Sequence, residues 1–72
     1  MQAKYKNKSN HGLIKGHEYV IEIDKPTGCY VYNLHVIFDI TEQEDRDIVI
    51  NYGSMISLEK SWESKELKID NG

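Results

Sequence analysis

One cysteine and three histidines are the side chains of this sequence that could hold a soft metal or serve a nucleophile: Cys29, His11, His17 and His35. A lone cysteine cannot form a disulfide within the chain. It also excludes zinc sites of the Cys₄ or Cys₂His₂ type, which need at least two thiolates. Cys29 and His35 fall on the same side of one extended run, but six residues of strand separate them by about 20 Å. His11 and His17 flank a glycine-containing stretch and supply two ligands at most. A reactive cysteine needs a base within hydrogen-bond reach, and Cys29 instead follows the turn Lys25-Pro26-Thr27-Gly28 and opens a strand. The acidic run Glu42, Glu44, Asp45 and Asp47 lacks the central glycine of a calcium loop and carries Arg46 in its middle. No metal, no cofactor and no catalytic residue is expected. A chain of 72 residues also offers little concave volume for a substrate.

The elements that would position a site are strands. From 29 to 40 every even position is apolar: Tyr30, Tyr32, Leu34, Val36, Phe38 and Ile40. The odd positions are mixed: Cys29, Val31, Asn33, His35, Ile37 and Asp39. Period two marks a strand with one buried face. Twelve straight residues would reach roughly 40 Å, too long for a domain whose radius of gyration should be about 11 Å. The run must therefore bend, and the polar stretch Asn33–His35 is the expected place. Residues 17–24 form the preceding strand, with Tyr19, Ile21 and Ile23 inward, and the Pro-Gly turn joins the two as a hairpin. Residues 41–47 read as a polar acidic loop. Residues 46–52 return as a strand with Ile48, Ile50 and Tyr52 inward, and Gly53-Ser54 breaks it. A short strand over 55–60, with Ile56 and Leu58 on one face, and a last segment at 66–69 close the chain. The alternative is a C-terminal helix capped by Ser57 within 57–68.

Charge is segregated. Residues 1–17 carry Lys4, Lys6, Lys8 and Lys15 and no acid, whereas residues 18–72 carry a net −7. Residues 1–12 are polar and aperiodic and are expected to be a flexible basic tail; residues 13–70 are expected to be the folded domain. The sequence has no run of the 18 or so apolar residues that span a bilayer and no apolar stretch of a signal peptide. One cysteine then fits a reducing cytoplasm.

The segments GLIKGHEYVIEID and INYGSMISLEKSWE, set around a long bent second strand, resemble an SH3-like barrel. The resemblance covers about 55 residues. It implies an all-β fold of about five antiparallel strands, with a single 3₁₀ turn at Gly53-Ser54-Met55 before the penultimate strand and a possible short C-terminal helix. It is similar in kind to small uncharacterised barrels of bacteria and phages. The ALYDY-type motif of polyproline-binding SH3 domains is absent, so that activity does not carry over.

The expected function is a non-enzymatic interaction module that binds a protein, a basic one given the acidic domain. Tyr30, Tyr52 and Trp62 are the candidate aromatic anchors, Val31 and Ile37 an apolar stripe on the odd face, and Glu44 and Asp45 the acidic contribution. The alternative is nucleic-acid binding by the tail, with Lys4, Lys6 and Lys8 on phosphates and Tyr5 stacked on a base. No membrane contact is expected. The chain should be a monomer or a weak homodimer.

Overall fold

The computed structural model describes residues 1–25, 27–28 and 31–64. Six elements follow one another: β1 (Gln2–Tyr5), β2 (Glu18–Asp24), β3 (Tyr32–Asp39), β4 (Glu44–Tyr52), α1 (Met55–Ser61) and β5 (Trp62–Glu63). The strands form one antiparallel sheet in the order β4-β3-β2-β1-β5. All-β architecture is as expected, and the number of strands agrees, but only β2, β3 and β4 are strands expected from the sequence. Strand pairing does not close the sheet into a barrel: β4 and β5 are its two edges, and α1 links them. The radius of gyration is 11.8 Å. Among the described residues no helix is long and apolar enough to cross a membrane.

The expected flexible tail is corrected. Residues 2–5 form β1, which pairs with β2 through Ala3↔Tyr19 and with β5 through Tyr5↔Trp62. Ala3 and Tyr5 are core residues. Four residues are too few to show a period, and the surrounding lysines mask the alternation of Ala3 and Tyr5. Beyond β1 the chain stays attached. The Lys6 N–H donates to the Ser61 carbonyl at 2.8 Å, and Asn10 and Leu13 exchange backbone bonds around His11 and Gly12, both at positive φ. Gly12 is required there twice over: its φ is +82°, and a Cβ would meet Ile48 at 3.3 Å. The turn delivers Leu13 into the core.

The long strand bends, but at Ile37 rather than at Asn33–His35. Between the pairs made by Val36 and Phe38, β3 has one residue where β2 has none and β4 has two. Such a bulge resets the phase of the strand. Val36 points inward, Ile37 and Phe38 follow, and Asp39 points inward again, fully buried opposite Tyr19. β4 begins two residues earlier than expected, so Glu44 and Asp45 are strand residues, and only residues 40–43 turn. Cys29, Tyr30 and the segment 66–69 lie outside the described residues.

Neither a strand over 55–60 nor a bare 3₁₀ turn at 53–55 is found. The segment is α1, and the helical alternative starts three residues earlier than expected. Ser54 is the N-cap: its Oγ accepts the Ser57 N–H at 3.1 Å, and the Ser57 hydroxyl donates back to the Ser54 carbonyl at 2.9 Å. In a strand Ile56 and Leu58 would share a face. In the helix they diverge, with Ile56 68% exposed and Leu58 fully buried.

Two outcomes test this architecture. Leu58→Ala should cost about 3 kcal/mol in urea unfolding, while Ile56→Ala should cost under about 0.5; equal losses would restore the strand. Deleting residues 1–5 should abolish cooperative thermal unfolding followed by circular dichroism, because β1 joins β2 to β5; a retained sharp transition would return these residues to a tail.

Candidate functional site

Two places gather polar or exposed groups in a way that local structure alone does not require. The first is a knot around Asp39, where the bulge drives a carboxylate into the interior. Asp39 Oδ1 accepts the Glu42 N–H at 2.9 Å, closing the β3–β4 turn, whose Gln43 sits at φ 61°. Oδ2 lies 3.1 Å from His17 Nδ1 and 3.6 Å from Arg46 Nη2. The proton on that ring nitrogen therefore belongs on Nδ1, since an ionised carboxylate only accepts. The other ring nitrogen faces Glu42 Oε2 at 4.0 Å, and Arg46 reaches Glu44 Oε1 at 3.0 Å. Burial pushes the Asp39 carboxyl up, but the Glu42 N–H, the His17 ring and the Arg46 guanidinium overcome it, and the group sits below its ordinary value. Both oxygens of Asp39 are thus engaged, Oδ1 by the β3–β4 turn and Oδ2 by His17 and Arg46. Sequence reasoning missed this knot because alternation without the bulge assigns Asp39 to the wet face.

The second place is the outer face of the sheet. Register sets three rows across it: Asn51–Asn33–Asp24, Val49–His35–Glu22 and Asp45–Phe38–Val20–Gln2. At the β1 side, Lys4 lies between Glu18 and Glu63. Phe38 and Val20 are neighbours and only half-buried, with Ile37 exposed at the bulge and Val49 at the edge. Acids rim this apolar centre: Glu18, Glu22, Asp24, Asp45 and Asp47.

The expected site residues divide between this face and the core. Val31 and Ile37 are exposed, Asp45 sits opposite Phe38, and Glu44 is exposed and bonded to Arg46. Trp62 is not an anchor. It is 1% exposed, with its ring 5.1 Å from Tyr5 and 5.8 Å edge-on from Tyr19, and its Nε1 donates to the Tyr52 hydroxyl at 3.0 Å. Tyr52 is accordingly half-buried and held inward. Tyr5 cannot stack on a base: its ring is in the core and its hydroxyl donates to the Lys8 carbonyl at 3.1 Å. Lys4 belongs to the outer face between two glutamates, while Lys6 and Lys8 are exposed in the β1–β2 connection. Among the described residues no three His, Cys, Asp or Glu side chains converge as a metal site would require. Phe38, Glu22 and Asp24 were not singled out from sequence; the polar residues between the apolar ones in β2 were the available signal.

Comparison with known protein families, with curated proteins and with solved structures finds no match.

The Asp39 knot sets a pH dependence. With the folded value below 3.8, the ordinary one, both states are ionised at neutral pH and the stabilisation is complete. It is lost as pH falls below about 3.8, where the unfolded chain takes up the proton first. Burial raises the Tyr5 and Tyr19 hydroxyls above 10.0, so their contribution is complete below about pH 10 and lost above it. Asp39→Asn should lower stability at pH 7 by about 2 kcal/mol and flatten the acid limb of a plot of urea midpoint against pH. An unchanged acid limb would remove Asp39 as its cause.

Proposed function

We propose that this chain is a non-enzymatic interaction module whose outer sheet face binds a basic protein segment. The observation that carries the reading is the row Asp45–Phe38–Val20–Gln2, a half-exposed aromatic beside a valine with carboxylates around them. An apolar centre inside a charged rim is how recognition surfaces are built, the centre supplying affinity and the rim orientation and encounter rate. The acids belong to β2 and β4, on either side of β3, so their spacing is fixed by the sheet and not by flexible loops. The aromatic contribution comes from Phe38, with Val20, Ile37 and Val49 as its apolar surroundings. Five antiparallel strands and one short helix support the all-β reading, while the open sheet does not support the SH3-like barrel. Nucleic-acid binding is the weaker reading: Lys6, Lys8 and Lys15 remain exposed, but the stacking tyrosine is buried.

Fluorescence anisotropy with a labelled peptide of alternating lysine, arginine and leucine tests the proposal. Affinity should fall as salt rises and fall about tenfold in Glu22→Lys/Asp45→Lys, which removes two rim charges and adds two of the opposite sign. Equal binding by the double variant would reject the face. Tighter binding of a labelled single-stranded oligonucleotide at about 50 mM salt, lost on Lys6→Glu/Lys8→Glu, would favour the nucleic-acid reading.

A further inference from the structure

The other feature that the fold leaves unexplained is the free side of β4. β4 is nine residues long, and among the described residues no strand pairs with its far side. Natural edges are protected by charge, proline, bulges or short length. The first half of β4 has such protection: Glu44, Asp45, Arg46 and Asp47 are charged, and the pairing with β3 slips there. The second half, Ile48-Val49-Ile50-Asn51-Tyr52, has none. It contains no charge and no proline, and its register with β3 is unbroken from Tyr32↔Tyr52 to Val36↔Ile48. Val49 is 52% exposed there. On the inner face Ile48, Ile50 and Tyr52 pack on the core yet stay only partly buried. The core thus runs out to an open edge.

We propose that a second copy of this chain adds its own β4 antiparallel to this edge, about a two-fold axis at Val49. The strand's own sequence admits that occupant and disfavours registers centred nearer its charged half. With the axis at Val49, Val49 meets the partner's Val49 and Ile48 meets the partner's Ile50. Asp47 meets the partner's Asn51 and Arg46 the partner's Tyr52, so no like charges face each other directly. An axis at Asp47 would set two aspartates face to face, which is destabilising in a strand pair. An axis at Ile48 would set Asp47 against the partner's Val49 twice. Pairing at Val49 joins two sheets into one, supplies the missing backbone partners of the uncharged half and covers Ile50 from the side. A small chain without disulfides gains most from such association. The contact is small, so the dimer is weak. It leaves the outer faces uncovered, side by side.

Sedimentation equilibrium at up to about 1 mM tests this, with Trp62 emission confirming that each variant is folded. The wild type should show a monomer–dimer equilibrium. Val49→Lys sets two lysines together at the axis and should weaken it at least about tenfold. Asn51→Lys sets a lysine opposite each partner's Asp47 and should tighten it roughly threefold or more. Thr27→Lys adds the same charge in the β2–β3 connection, outside β4, and should leave it unchanged. A wild type that stays monomeric at 1 mM, or association indifferent to Val49→Lys, overturns the proposal. Tightening by Thr27→Lys equal to that by Asn51→Lys overturns it too, since association would then answer to net charge and not to register.

Discussion

The indole of Trp62 is the constraint on which this fold depends. It is the first residue of β5, yet its ring packs on Tyr5 of β1 and Tyr19 of β2, and its Nε1 reaches the Tyr52 hydroxyl at 3.0 Å. Tyr52 ends β4, the opposite edge of the sheet. One side chain therefore ties together the two edges that backbone pairing leaves apart. Aromatic rings with a polar tip suit this place, because the ring fills volume while the tip finds a partner. Around it, the Tyr5 hydroxyl donates a hydrogen bond to the Lys8 carbonyl and the Tyr19 hydroxyl accepts the Ile14 N–H at 2.9 Å. The same rings thereby pin the connection between β1 and β2 over the end of the sheet. A 72-residue chain lacks the area for a large aliphatic core, and a cluster of large aromatic residues concentrates burial in few positions.

A second constraint follows from the bulge at Ile37. A regular β3 would turn Asp39 to water and Phe38 inward. The slip does the reverse, and both consequences matter. An inward Asp39 needs donors, which His17, Arg46 and the Glu42 N–H provide from three separate segments. An outward Phe38 gives the acidic face its aromatic centre. The buried charge and the exposed aromatic are thus two results of one extra residue. Leaving such a carboxylate without its partners would be costly, so the knot fixes the turn register on which the position of Phe38 depends.

How much of this the sequence discloses depends on the element. Period-two alternation in Leu34, Val36, Ile48 and Ile50 identifies β3, β4 and their shared inner face. The need for a bend is legible from length alone. Its location is not, because Asn33 and His35 sit as acceptably on an outer face as at a kink, while the true signal, Asp39 in phase with the core after Ile37, reads as ordinary polarity. β1 is too short to carry a period. For α1, two apolar residues two apart satisfy a strand pattern, and only the pairing of Ser54 with Ser57 distinguishes a helix start. The aromatics were legible as important but not as to side: Trp62, Tyr5 and Tyr52 would suit an exposed anchor and a core equally, and the decision rests on which polar tips find partners inside.

The surface is what remains once the core has taken these aromatics. Of the large apolar side chains left outside, Ile37 and Val49 lie on or beside the outer face and Ile56 on the helix. The inner face of β4 is meanwhile only partly covered. Charge is distributed against this apolar surface unevenly. Carboxylates lie around Phe38 and Val20 on the outer face. They stop at Asp47, just where β4 becomes uncharged. A single strand thus carries two opposite treatments of exposed surface: a charged half that repels casual pairing, and an apolar half that does not. Net repulsion among acidic domains opposes random edge contacts. Only a register that keeps Asp45 and Asp47 away from their own copies escapes that repulsion, and the order of residues along β4 permits it.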